Sequence, residues 1–88
     1  MNQDKIQNAF KIKKVVSQYF VDSIETKVMA KELMPQFIKA GIFQKNHKDG
    51  LPIRELLREL DSEGLLKLIP QVHFEQKEIN KNWFFIKK

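Results

Sequence analysis

The sequence predicts a single α+β domain over residues 1–88, with three main helices followed by a C-terminal two-stranded β-hairpin. Three observations support this prediction. Apolar residues recur at the i, i+3, i+4 and i+7 positions of one helical stripe: Ile53, Leu56, Leu57 and Leu60. Pro52 suits the first turn of that helix, and Gly64 suits the left-handed residue just past its end. From Leu65 onward the apolar period changes to two, which is typical of a strand.

The first helix is predicted over residues 3–21. Its apolar residues keep helical spacing, interrupted only by Lys13: Ile6, Ala9, Phe10, Val16, Tyr19 and Phe20. The opposite side of the helix carries Lys5, Lys11 and Lys14. This basic face is interpreted as solvated, with phosphate contact or dimerisation through the helix as the alternative.

The second helix is expected after a break in the pattern at residues 21–26. Ile24 stands between polar residues in that break, which is consistent with a short strand. A helix is then predicted over residues 27–34. Because proline cannot sit in a helix interior without breaking a hydrogen bond, the helix should kink or restart at Pro35. Gly41 then ends it.

A polar connection and a hairpin complete the predicted fold. Residues 43–50 end in an Asp-Gly pair and form the longest turn-like stretch. Residues 66–74 alternate as a strand does, and Pro70 confines that strand to a sheet edge because it has no N–H to donate. A turn is expected at residues 77–82, followed by an aromatic return strand at residues 83–86.

Residues 53–66 carry a resemblance to a known family. They read IRELLRELDSEGLL, which is similar to the run Ile/Val-Arg-x-x-Leu-x-x-Leu-x-x-x-Gly-Leu-Leu/Ile/Val in bacterial winged helix-turn-helix regulators. The resemblance implies a winged helix whose third helix enters the major groove of DNA while the hairpin wing meets the backbone. Here the connection before the third helix is about ten residues, whereas a standard helix-turn-helix uses three or four. DNA contacts are therefore not transferred position by position.

Nine residues of the connection, third helix and wing are the candidates for DNA contact: Lys45, Asn46, His47, Lys48, Arg54, Arg58, Lys77, Lys81 and Asn82. Arg54 is expected to reach guanine edges, and Arg58 a phosphate or a base. The lysines of the wing tip would meet the minor groove or the backbone. The resemblance thus implies a double-stranded DNA partner and a role in transcription regulation.

The charge distribution bears on this interpretation. Residues 1–48 hold nine lysines and four acids, whereas residues 49–88 hold seven basic and seven acidic residues. The third helix is itself rich in acids, but these lie mainly toward its C-terminal half, and base contacts in this fold come mainly from the N-terminal part.

The alternative function is a protein-interaction or dimerisation module that does not bind DNA. The return strand at residues 83–86 has apolar side chains on both faces. If one face packs on the core, Phe84 and Ile86 on the other face would form an interface with a protein partner or a second copy of the chain.

Other functional classes have little support in the sequence. The chain contains no cysteine, so disulfides and thiolate sites are excluded. His47 and His73 are its only histidines and lie far apart, so no metal site is expected. No nucleophile–base pair or glycine-rich phosphate loop is found, so neither catalysis nor a cofactor is expected. With no long apolar run and no signal-peptide pattern, a cytoplasmic protein without membrane contact is expected.

Overall fold

The computed structural model describes residues 3–46, 48, 50–76, 78 and 81–87. In chain order the elements are α1 (Gln3–Asp22), β1 (Lys27–Met29), a first 3₁₀ turn (Ala30–Leu33), α2 (Met34–Lys39), α3 (Leu51–Ser62), a second 3₁₀ turn (Leu66–Leu68), β2 (Val72–Gln76) and β3 (Lys81–Ile86). Within these residues the α+β class and the three helices agree with the sequence prediction, but the sheet has three strands.

The sheet has the order β1-β3-β2, and both outer strands run antiparallel to the central β3. The predicted two-stranded hairpin is wrong in strand number, because Lys27–Met29 pairs with β3 instead of starting a helix. Val28 lies opposite Phe85 and is buried in the core. Three residues are too few for the alternation of a strand to show in the sequence. In the folded chain, they supply backbone hydrogen-bond partners to the second edge of β3. Ile24, where a strand was expected, is fully exposed in the preceding loop.

Of the kink and the restart that the sequence left open at Pro35, the structure shows the restart. The first 3₁₀ turn occupies Ala30–Leu33, and α2 then begins at Met34 with Pro35 in its first turn. Gly41 follows α2 with a φ of 81°, a left-handed conformation that suits glycine. Leu33, Met34 and Phe37 face the core, so the apolar line continues across the restart.

The approach to β2 departs from the predicted strand. The second 3₁₀ turn occupies Leu66–Leu68, and β2 begins only at Val72. Ile69 is completely buried, and the leucines before it are partly buried against the core, so the alternation at residues 66–69 reflects packing of a turn. β2 lies at a sheet edge, as predicted, but Pro70 stands two residues before the strand, so its missing N–H removes no hydrogen bond from the ladder.

The core lies between the helices and the face of the sheet that carries Trp83 and Phe85. Its buried residues on α1 and α3 are Ala9, Ile12, Val16, Phe20, Ile53, Leu57 and Leu60. From α2, Phe37 meets Phe85 edge to face at 6.1 Å between ring centroids. Such edge-to-face aromatic contacts add specific geometry to the area that they bury.

Helix α3 matches its sequence pattern closely. It runs from Leu51 to Ser62 with Pro52 in its first turn. Gly64 has a φ of 71°, and Leu65 donates its backbone N–H to the carbonyl of Leu60. This is the expected left-handed C-terminal cap. Among the described helices, α1 has 20 residues, but none is long and apolar enough to cross a membrane.

Truncation of the α3 stripe should destabilise the fold. Leu57→Ala removes a completely buried side chain and is expected to lower the free energy of unfolding by about 2–5 kcal/mol, measured by urea denaturation. Glu55→Ala, on the exposed side of the same helix, is the control and should change it by less than about 0.5 kcal/mol. Equal effects of the two substitutions would show that the stripe does not face the core.

Candidate nucleic-acid interface

A small cavity lies between the first 3₁₀ turn, the first turn of α3 and the start of β3. Its volume is about 100 Å³. Lys31 comes from the 3₁₀ turn, Arg54 from α3, and Lys81 and Asn82 from β3. Three basic side chains from three elements thus line one cavity, which we call the basic cavity. Met29, Ala30 and Trp83 complete the lining.

Gly50 allows the loop before α3 to approach the 3₁₀ turn. Its φ is 95°, and a Cβ placed there would lie 2.5 Å from the Cβ of Lys31. Asn46 also fixes the backbone of Gly50, because its Oδ1 accepts a hydrogen bond from the Gly50 backbone N–H at 2.6 Å. Arg54 follows one helical turn later and donates from Nη2 to the Lys48 carbonyl at 3.4 Å. The close approach at Gly50 therefore brings Lys31 and Arg54 to the same cavity.

Lys81 is held in place by three contacts. Its Nζ lies 2.8 Å from Asp61 Oδ2, 4.4 Å from the Phe74 ring centroid and 5.6 Å from the Trp83 ring centroid. The carboxylate and the ring faces both favour the charged ammonium. The side chain keeps 30% of its surface exposed, so Lys81 can still meet a ligand at the mouth of the basic cavity.

Only some of the predicted DNA-binding residues lie together in the structure. Arg54, Lys81 and Asn82 line the basic cavity. Arg58 is exposed one turn further along α3, beside Glu55, Glu59 and Ser62. The predicted residues of the loop, Lys45, Asn46 and Lys48, are exposed. The Asn46 side chain accepts a hydrogen bond from the backbone N–H of Gly50. Lys48 has a φ of 50°, and its carbonyl accepts a hydrogen bond from Arg54. His47 and Lys77 lie outside the described residues.

Lys31 was not predicted, although it lines the basic cavity. In the sequence it sits in the segment AKEL, which has the pattern of a helix start. Its position depends on the contact with Gly50, nineteen residues later in the chain. A local pattern carries no signal for such a contact. An Asp-Gly pair before a predicted helix indicated the turn, but not what the turn packs against.

The opposite end of α3 is acidic and is joined to α1. Lys5 pairs with Glu63 and, at 3.1 Å, with Glu59. The hydrogen bond from Lys5 to Glu63 and, to a smaller extent, the one to Glu59 raise the pKa of Lys5 above its ordinary value of 10.5. Because the pKa is raised on folding, these pairs contribute stability below pH 10.5 and lose it as the pH rises through the folded-state pKa. Lys5 therefore contacts the acids of α3, whereas its predicted place was on a solvated face.

The alternative interface at Phe84 and Ile86 requires both side chains to be exposed. Phe84 is only 8% exposed. Lys27 Nζ lies 4.2 Å above the Phe84 ring centroid, and His73 stacks on the ring at 6.0 Å with an interplanar angle of 19°. The exposure that such an interface requires is therefore not met at Phe84, because side chains of β1 and β2 cover it. Ile86 is half-buried.

Across the described ranges, no three His, Asp or Glu residues are grouped as metal ligands. Comparisons with protein-family models, curated protein sequences and solved structures found no match to this chain.

The contact at Gly50 can be tested against a matched glycine. Gly50→Ala and Gly64→Ala both force alanine into a left-handed conformation, which costs about 1–2 kcal/mol. Only at Gly50 does the new Cβ also meet another residue, since none lies within 4 Å at Gly64. Gly50→Ala should therefore lower the free energy of unfolding by roughly 1–3 kcal/mol more than Gly64→Ala. Equal losses in urea denaturation would contradict the close approach to Lys31.

Proposed function

We propose that the chain is a small winged-helix domain that binds double-stranded DNA and acts in transcription regulation. The third helix would enter the major groove, and the β2–β3 hairpin would meet the backbone. One observation carries the proposal: Lys31, Arg54, Lys81 and Asn82 converge on the basic cavity beside the first turn of α3. Nucleic-acid-binding proteins concentrate Lys and Arg where they meet phosphate.

The distribution of charged residues along α3 supports an approach of DNA to the N-terminal end of this helix. The basic cavity lies at the first turn of the helix, whereas Glu59 and Glu63 lie near its end and are paired with Lys5. A duplex placed over the first two turns would meet Arg54 and Arg58 before it meets these acids. In winged and related helix-turn-helix folds, base contacts come mainly from the same N-terminal part.

The positions of the two arginines suggest different roles. Arg54 lines the basic cavity and contacts the Lys48 carbonyl, which favours a phosphate contact over the guanine contact expected from the sequence. Arg58 is exposed on α3 and lies outside that cavity. Its guanidinium has the reach and the forked geometry for a base edge. We therefore propose Arg58 as the base-reading residue and Arg54 as a phosphate contact.

A salt titration of duplex binding tests this division. Lys31→Ala and Lys81→Ala should each weaken binding to all sequences alike, and each should reduce the slope of log K against log salt by about 0.9. Arg58→Ala should cost about 1–3 kcal/mol on a preferred site and flatten the preference at one or two base pairs. Fluorescence anisotropy at several salt concentrations measures both effects.

Lys39→Ala is the matched control, since it removes the same charge from the exposed end of α2 and should leave the slope unchanged. Thermal melting of each variant separates lost binding from lost folding. Weak duplex binding with a slope that none of the substitutions alters would exclude the proposed interface.

A second candidate function, protein interaction, is favoured by a groove at the C-terminal end of α1. The groove has a volume of about 660 Å³, and its lining combines the apolar Val15, Tyr19 and Ile24 with polar residues that include the acidic Asp22 and Glu25. Ile24 is fully exposed. On a chain of net charge +5, two acids beside apolar side chains fit a partner segment that presents an apolar side chain flanked by Lys or Arg.

An amphipathic Leu/Lys model helix is a suitable probe for this groove, with a Leu/Glu helix of the same pattern as its control. The Leu/Lys helix should bind more tightly, and Ile24→Ser should weaken it by about tenfold without changing duplex binding. Calorimetry of the two helices with wild type and variant makes the comparison. Equal affinity for both helices, or no effect of Ile24→Ser, would rule out this use of the groove.

A further inference from the structure

We infer that the occupant of the groove at the C-terminal end of α1 is a second copy of this chain, which inserts Phe10 of its own α1. The inference rests on the proposed use of this groove for protein interaction, and it names the partner. Copies of the chain would then join head to tail through a surface separate from the basic cavity.

The groove needs a partner that brings both apolar surface and positive charge. Its lining includes Val15, Tyr19 and the fully exposed Ile24, together with Asp22 and Glu25. Within the described part of the chain, neither acid forms a salt bridge. Covering these carboxylates without a basic partner would cost free energy, because they would lose water and gain no opposite charge.

The first half of α1 presents the matching combination. Phe10 is 51% exposed, and Lys11, Lys13 and Lys14 are exposed around it. In a helix of 3.6 residues per turn, Lys13 and Lys14 lie one turn beyond Phe10 and on either side of it. None of these lysines forms a salt bridge with a described residue. The chain therefore carries an exposed aromatic ring among lysines whose charges are available to the acids of the groove.

A chain cannot make this contact with itself. Phe10 and Asp22 lie on the same continuous helix α1, about 18 Å apart along its axis and about 120° apart around it. The ring must therefore enter the groove of another copy. The two surfaces that meet are different ones, so the contact is heterologous.

The size of the groove suits this occupant. Its volume of about 660 Å³ lies within the roughly 300–1,000 Å³ of sites that enclose a small molecule. A phenylalanine ring and parts of the neighbouring lysine stems are of that size. The stems can lie on apolar surface while their ammonium groups reach the acids.

A heterologous contact leaves unused surfaces on every pair of copies. A copy that gives its Phe10 to one neighbour still offers its groove to another, so association continues beyond a dimer unless a ring closes. One helix segment in one groove also buries less surface than the roughly 1,200–2,000 Å² of stable interfaces. We therefore expect weak association that grows with concentration.

Sedimentation equilibrium over a wide concentration range tests the contact. Phe10→Ser and Ile24→Ser should each weaken self-association by about tenfold or more. Phe74→Ser is the matched control, because it removes a ring that is 40% exposed on β2, and it should leave association unchanged. Cooperative thermal unfolding shows that each variant is folded. A wild-type chain that stays monomeric up to ~1 mM, or association that Phe10→Ser does not alter, would overturn the inference.

Mixing the two variants tests which surfaces meet. The Phe10→Ser chain keeps its groove, and the Ile24→Ser chain keeps its Phe10. Their equimolar mixture should form a dimer with the affinity of one wild-type contact, and nothing larger, because no further complete pair of surfaces remains. A mixture that associates no more than either variant alone would overturn the insertion of Phe10 into the groove.

The Leu/Lys model helix separates this inference from the use of the groove on which it rests. The helix should displace self-association, since both ligands need the same groove. Helix binding to a chain that stays monomeric overturns the inference and leaves protein interaction at the groove standing. Self-association that the helix binds without displacing overturns the groove as the contact between copies. A chain that binds neither the helix nor itself overturns both proposals.

Discussion

β3 carries Trp83 and Phe85 into the core while its backbone pairs with β1 on one edge and β2 on the other. Phe85 lies opposite Val28 on β1 and opposite Val72 on β2, so one residue position aligns all three strands. An unpaired edge on so apolar a strand would expose backbone donors and acceptors and invite association. The other elements take their places relative to this strand.

The basic cavity is a consequence of that pairing. β1 runs directly into the 3₁₀ turn that bears Lys31, and β3 begins with Lys81 and Asn82. Because β1 and β3 are registered to each other, the turn and the start of β3 lie side by side. Gly50 then brings the first turn of α3 against the same 3₁₀ turn. A sheet register and one close backbone approach thus set the geometry of the proposed interface.

The distribution of charge follows the same division of the molecule. α3 has a basic beginning at the cavity and an acidic end tied to Lys5 of α1. Internal pairing of the acidic end reduces its repulsion of a polyanion, while the basic end retains exposed groups. The Phe84 side of the sheet is also covered by side chains of the same chain. Lys27 Nζ lies over the Phe84 ring and 3.4 Å from Glu75 Oε1. Among the described residues the exposed large apolar side chains are Phe10, Val21, Ile24 and Phe74, and Ile24 is the most exposed of them.

Local pattern alone established α1, α3, an interruption at Pro35 and the cap at Gly64, because helical spacing and residues of restricted or unusual φ act within a few positions. The resemblance to winged helices named Arg54, Lys81 and Asn82 among the candidates for DNA contact, and these three line the basic cavity. Packing between distant segments set the remainder. Lys27–Met29 became a strand because β3 had a second edge to satisfy, and Lys31 joined the basic cavity through its contact with Gly50. Contacts between residues far apart in the chain leave no period in the sequence, so these features emerge only when the chain is folded.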